Sequence, residues 1–180
     1  MNVPKVTKQD VFAPANFVSV LGLLLTIYGA FNITSLTGVI VLGIGRIVDI
    51  FDGKVARSTH VSPFGALVDA TCDKIGIAIL IPAVWIADIA PYWLLIYIAL
   101  QNILNIVLNW LTAARGGTPA SSKTGKYAMF AQNVSLGFYA LGNTVDSIIA
   151  VRIGLIVGLA SLYWAVKATY GYTRAASNAK

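Results

Sequence analysis

Apolar residues occupy six long stretches of this chain, separated by short polar or Pro/Gly-containing intervals: about Asn16–Ile33, Ser35–Asp49, Phe64–Ala87, Tyr92–Ala114, Tyr127–Leu141 and Ile148–Tyr170. Each approaches the ~20 residues that carry a helix across a ~30 Å hydrocarbon layer. The second does so only if its helix continues through the polar residues that follow Asp49. Lipid offers backbone N–H and C=O groups no water, so stretches of this kind are predicted to be helical. Asn32 and Thr34, Ala90-Pro91, Gly116-Gly117-Thr118-Pro119 and Gly142-Asn143 read as the breaks between them. The expected fold class is all-α: a polytopic membrane protein with six transmembrane helices. The short connections leave no room for a second domain, so residues 1–180 are read as one membrane domain. Residues 1–15, where Val3, Val11 and Phe12 alternate with Lys5, Lys8 and Asp10, form a candidate interfacial segment, with a disordered tail as the alternative.

Composition agrees with a lipid environment. The chain is 57% hydrophobic with only 11% charged residues, against roughly 25% charged in an ordinary soluble domain. The net charge of +6 does not indicate nucleic acid, because the basic residues fall singly at the ends of apolar runs instead of forming a stripe. Lys5, Lys8, Lys54, Arg57, Arg115, Lys123, Lys126, Lys167, Arg174 and Lys180 lie at or near one set of segment ends, whereas the other set has only Arg152, near Asp88 and Asp146. By the positive-inside rule both termini are expected to be cytoplasmic. The first apolar run lacks a convincing cleavage site and reads as a retained helix, not a signal peptide. Cys72, the single cysteine, reads as a packing residue.

Seven acidic residues occur, all of them aspartates, and four crowd into residues 48–74: Asp49, Asp52, Asp69 and Asp73. On a helix Asp49, Asp52, Gly53 and Ala56 share a face, and Gly65, Asp69 and Asp73 share another by i,i+4 steps. With Ser58–Phe64 as the turn, two antiparallel helices bring the four carboxylates together. Uncompensated anions in a low dielectric are costly, so a cation is expected among them. An oxygen-only ligand set without His or Cys suits Mg²⁺ or Mn²⁺, with Ca²⁺ as an alternative, and four carboxylates can hold two ions. Paired ions of this kind clamp phosphate oxygens during displacement at phosphorus. Gly53, Ala56 and Gly65 remove bulk beside the carboxylates, as either a ligand or a helix contact would require.

Asp49-x-x-Asp52-Gly53-x-x-Ala56-Arg57 followed by Gly65-x-x-x-Asp69-x-x-x-Asp73 resembles the signature of the CDP-alcohol phosphotransferase (CDP-alcohol phosphatidyltransferase) family. The Arg57–Gly65 interval is one residue shorter than in many members. The resemblance implies a six-span fold along essentially the whole chain. It also implies transfer of a phosphatidyl or similar group from a CDP-linked lipid, such as CDP-diacylglycerol, to an acceptor alcohol, with release of CMP. By the same resemblance Asp49, Asp52, Asp69 and Asp73 hold two divalent ions, Asp73 is also the general base, and Gly53, Ala56, Arg57 and Gly65 contact the CDP group. It further implies a homodimer in the cytoplasmic (inner) membrane, with its active site facing the cytoplasm and a place in phospholipid biosynthesis.

The stretch "SSKTGKYAMFAQ" is similar to the Ser-x-x-Gly-Lys-x-x-x-x-x-Gln segment of bacterial phosphatidylglycerophosphate synthases at Ser122, Gly125, Lys126 and Gln132, while Ala128-Met129 depart from it. Glycerol 3-phosphate is thus the leading acceptor, with inositol phosphate and phosphatidylglycerol behind it. Arg115, Lys123 and Lys126 are candidate acceptor contacts, or else interfacial anchors. A divalent-cation transporter is the non-enzymatic alternative, but the aspartates gather toward one membrane face and no acidic residue continues a route through the later spans. A structural helix-packing protein gives no reason for gathered carboxylates.

Overall fold

The computed structural model describes residues 7, 12–58, 63–115 and 123–178, and the side chains of these except at 50, 52–58, 63, 66–67 and 70. The candidate interfacial segment at 1–15 lies largely outside the described residues, as do the Gly116–Pro119 break, Ser122 and most of the turn before Pro63. Among the described residues there are six helices and no strand: α1 (Pro14–Phe31), α2 (Leu36–Ser58), α3 (Pro63–Ile86), α4 (Tyr92–Ala114), α5 (Lys123–Thr144) and α6 (Ile148–Asn178). By length and composition α1, α4 and α6 are apolar enough to cross a membrane. The other three carry the charged and polar residues that lower their hydropathy.

α2 runs unbroken through Asp49 and Asp52 to Ser58, as the shared helical face of Asp49, Asp52, Gly53 and Ala56 requires. One helix boundary differs from the sequence reading. Gly142-Asn143 is no break, since α5 passes through it to Thr144. The Asn143 amide instead donates to the Tyr139 carbonyl at 2.9 Å and to the Ile89 carbonyl at 2.9 Å. After α3 and α5, Asp88 (φ 53°) and Asp146 (φ 51°) take the left-handed conformation, which a short polar side chain tolerates. At the starts of helices, the Ser35 hydroxyl accepts from the Gly38 amide at 3.0 Å and the Ser147 hydroxyl from the Ala150 amide at 3.4 Å, capping α2 and α6.

Burial is inverted relative to a soluble domain. The buried positions of α1 are Ala15, Asn16, Ser19, Gly22, Thr26, Gly29 and Ala30, while Phe17, Leu21, Leu24 and Tyr28 are exposed. In α6 the buried positions include Ala150, Gly154, Gly158, Ser161, Ala165 and Ala168, while Ile149, Ile156, Leu159 and Val166 point outward. Small residues inside and large apolar ones outside are what helices surrounded by lipid require, because acyl chains solvate Leu as well as a core does and close backbone approach supplies the attraction.

The chain forms two compact units, residues 1–87 and 88–180. In the first, α1 packs against both α2 and α3. A Cβ placed on Gly29 would lie 2.7 Å from the Leu42 Cβ and 2.8 Å from the Gly38 carbonyl oxygen, so the α1–α2 crossing is closed to any larger residue there. In the second unit α6 packs against α5 and α4, and a buried polar network crosses all three helices. The Gln132 amide donates to Gln101 Oε1 at 2.6 Å and to the Tyr97 hydroxyl at 3.1 Å, and that hydroxyl lies 3.2 Å from Ser161 Oγ. Interhelical bonds of this kind contribute about 0.6 kcal/mol each in a membrane bundle.

Candidate active site

The site grows from the α1 platform. Gly22 of α1 faces α2 so closely that a Cβ on it would sit 3.3 Å from the Gly45 carbonyl oxygen and 3.6 Å from the Asp49 amide nitrogen. That contact fixes the turn of α2 from which Arg46 and Asp49 project. On α3, Gly65, Asp69, Asp73 and Gly76 recur at helical spacing. Two of the four expected aspartates, Asp49 of α2 and Asp73 of α3, are brought to one cation, and Asp69 lies one helical turn before Asp73.

A cation is already among them. Arg46 Nη1 lies 3.8 Å from Asp49 Oδ2 and 3.8 Å from Asp73 Oδ1, with side chains only 19% (Arg46), 22% (Asp49) and 30% (Asp73) exposed. At that separation each attraction is about 4 kcal/mol for an effective dielectric near 20, before the cost of desolvation. The separation also exceeds hydrogen-bond range. Arg46 is not among the candidate residues read from the sequence. Its signal was there in the i,i+3 step to Asp49 and in a lone charge within an apolar run.

The carboxyls of this motif outnumber the single guanidinium beside them, and every acidic donor is an oxygen. A hard divalent cation fits this set. Among the described residues no three His, Cys, Asp or Glu side chains form a ready cage, and the fourth expected ligand, Asp52, sits on the last turns of α2 with its side chain outside the description. The same holds for Gly53, Ala56 and Arg57. Gly65 stands half-buried in the first turn of α3.

The candidate acceptor residues divide. Arg115 Nη1 donates to the Ala176 carbonyl at 2.7 Å, tying the end of α4 to the end of α6. Lys123 and Lys126 are exposed in the first turn of α5. Gln132, which matched the phosphatidylglycerophosphate synthase pattern, is wholly buried in the polar network. Cys72 is buried in α3.

No curated protein and no solved structure matches the chain. The family model of CDP-alcohol phosphatidyltransferase matches residues 12–168, a span that contains the whole aspartate signature and all but the end of the final helix. With its carboxylates gathered from two helices at that signature, the chain belongs to the CDP-alcohol phosphatidyltransferase family and is a transferase of substituted phosphate groups.

Proposed function

We propose that this protein is a phospholipid-biosynthetic enzyme that moves the phosphatidyl group of CDP-diacylglycerol onto an acceptor alcohol and releases CMP, with glycerol 3-phosphate as the acceptor. Phosphatidyl transfer in phospholipid synthesis and a general dependence on divalent metal are properties of the family. The observation that carries the reading here is the approach of Asp49 of α2 and Asp73 of α3 to the same guanidinium, that of Arg46.

In the proposed reaction the acceptor hydroxyl oxygen attacks the phosphorus that carries the diacylglycerol. The bond from that phosphorus to the bridging oxygen breaks, and CMP departs with the electron pair. Asp73 takes the hydroxyl proton as the new phosphorus–oxygen bond forms, a task suited to a carboxylate within hydrogen-bonding reach of the nucleophile. Asp49, Asp52, Asp69 and Asp73 would hold Mg²⁺ or Mn²⁺, two ions by the number of donors. Bound there, such ions offset the carboxylate charge and stabilise the charge developing on the pyrophosphate oxygens. Arg57 forks onto phosphate oxygens, while Gly53, Ala56 and Gly65 leave room for the CDP group beside the helix backbones. Arg115, Lys123 and Lys126 form the acceptor's basic contacts in this reading, with the Arg115–Ala176 bond the observation against the first of them.

The two units act as one domain in this proposal, supported by a family match that runs through both. All six helices cross the cytoplasmic membrane, with both termini and the active site on the cytoplasmic side, supported by the distribution of Lys and Arg along the sequence. The enzyme works as a homodimer. An acceptor panel tests the reaction: CMP and lipid product are measured with glycerol 3-phosphate, inositol, inositol phosphate, serine and phosphatidylglycerol. Product with glycerol 3-phosphate alone supports the assignment. Product only with inositol phosphate or phosphatidylglycerol replaces the acceptor, and divalent-ion flux in proteoliposomes without any CMP release overturns the enzyme reading in favour of transport.

A further inference from the structure

Between Leu36 and Val48 the sequence of α2 carries a single charge, Arg46. A guanidinium at such a place is costly unless something there needs it. Its surroundings show which of its properties is used. Arginine usually binds anions through the fork formed by Nε and a terminal nitrogen, yet here Nε and Nη2 are buried and have no hydrogen-bond partner among the described residues. Gly76 of α3 and Thr26 of α1 help enclose the guanidinium: a Cβ on Gly76 would meet Nη2 at 3.3 Å and the Thr26 methyl at 3.5 Å. Nη1 faces Asp49 and Asp73 at 3.8 Å each, too far to donate a hydrogen bond to either. What the site draws from Arg46 is therefore its charge.

We propose that Arg46 is a positioning residue: a built-in counter-cation that keeps Asp49 of α2 and Asp73 of α3 facing one another when no divalent ion is present. Because the attraction acts through space, Arg46 itself takes up no carboxylate oxygen by hydrogen bonding. This inference rests on the reading of Asp49 and Asp73 as ion ligands. Without Arg46 the two carboxylates repel, and the fold of residues 1–87 comes to depend on the ion that Arg46 otherwise anticipates.

The test is the thermal stability of the full chain in detergent, with Mg²⁺ and with EDTA, for the wild type, Arg46→Met and Arg46→Lys. The wild type should lose little on chelation. Arg46→Met should fall in EDTA by on the order of 10 °C and recover more than half of that loss in Mg²⁺, because ion binding now relieves the repulsion. Arg46→Lys, which keeps the charge and discards the fork, should show the Mg²⁺ increment of the wild type. Should Arg46→Met not be recovered folded, Arg46→Lys decides: wild-type behaviour supports the charge role, and loss in both media overturns it. Equal loss for Arg46→Met with and without Mg²⁺, while the wild type is still stabilised by Mg²⁺, overturns the role of Arg46 alone. A wild type whose Tm is unchanged by Mg²⁺, and which retains no Mn²⁺ on equilibrium dialysis, overturns the ion-ligand reading and this inference with it.

Discussion

Asp49 and Asp73, on different helices, face one guanidinium: Arg46 Nη1 lies 3.8 Å from a carboxylate oxygen of each. Two carboxylates rarely come so close without a shared cation, and a site of this kind can perform proton transfer and ion binding with the same side chains. If Asp73 is the base, Asp73→Asn removes the proton acceptor while preserving size. The expected loss in kcat is about 10²–10⁴-fold, with donor affinity changed far less. Single-turnover CMP release and CDP-diacylglycerol binding, measured on the folded variant, separate the two effects, and unimpaired turnover would remove Asp73 from the base role.

Chelation gives a second expectation. EDTA should abolish CMP release, and Mg²⁺ or Mn²⁺ should restore it, because the donor set is made of hard oxygens. Asp69→Asn should raise the ion concentration needed for half-maximal rate by about tenfold or more. Full activity after exhaustive chelation would count against ion-dependent chemistry.

The α1–α2 crossing predicts an asymmetry between glycines. Gly29→Ala puts a Cβ 2.7 Å from the Leu42 Cβ, and the backbone of Gly38 blocks retreat. Overpacking of this kind costs about 1–3 kcal/mol. Gly43→Ala on α2 meets nothing within 4 Å and should leave stability unchanged or slightly raised. Denaturation in mixed micelles measures both, and equal effects would mean that the crossing is looser than described.

Gln132→Leu keeps the volume of the buried network but strips Gln101 and Tyr97 of their shared donor. Leaving buried acceptors unmatched costs about 1–3 kcal/mol. The same micelle assay should show this loss with the acceptor KM unaltered. A raised acceptor KM at full stability would instead assign Gln132 to binding.

The basic candidates should separate in kinetics. Lys126→Ala, at an exposed position, should raise the acceptor KM by about fivefold or more without lowering Tm, given the usual strength of a charge-assisted contact. Arg115→Ala gives up the bond to Ala176 and should lower Tm. If Lys126→Ala leaves the acceptor KM unchanged, its place in the acceptor site is lost.

The sequence by itself determined that the chain is helical and apolar, because long runs without water partners admit no other regular structure. It also set four aspartates at three- and four-residue steps, which is the helix repeat and puts each pair on one face. Reading Gly142-Asn143 as a break failed for a related reason: glycine is a punctuation mark in a local reading, but inside a bundle it is also the residue that lets helices touch. Tertiary structure alone decided that the buried face of α1 is the Ser19–Gly22–Thr26–Gly29 face, that Gln132 is spent on internal hydrogen bonds, and that Arg46 lies between Asp49 and Asp73. Those outcomes depend on how closely two backbones approach and at what rotation, and these are settled by the combined fit of both surfaces rather than by the periodicity of either helix.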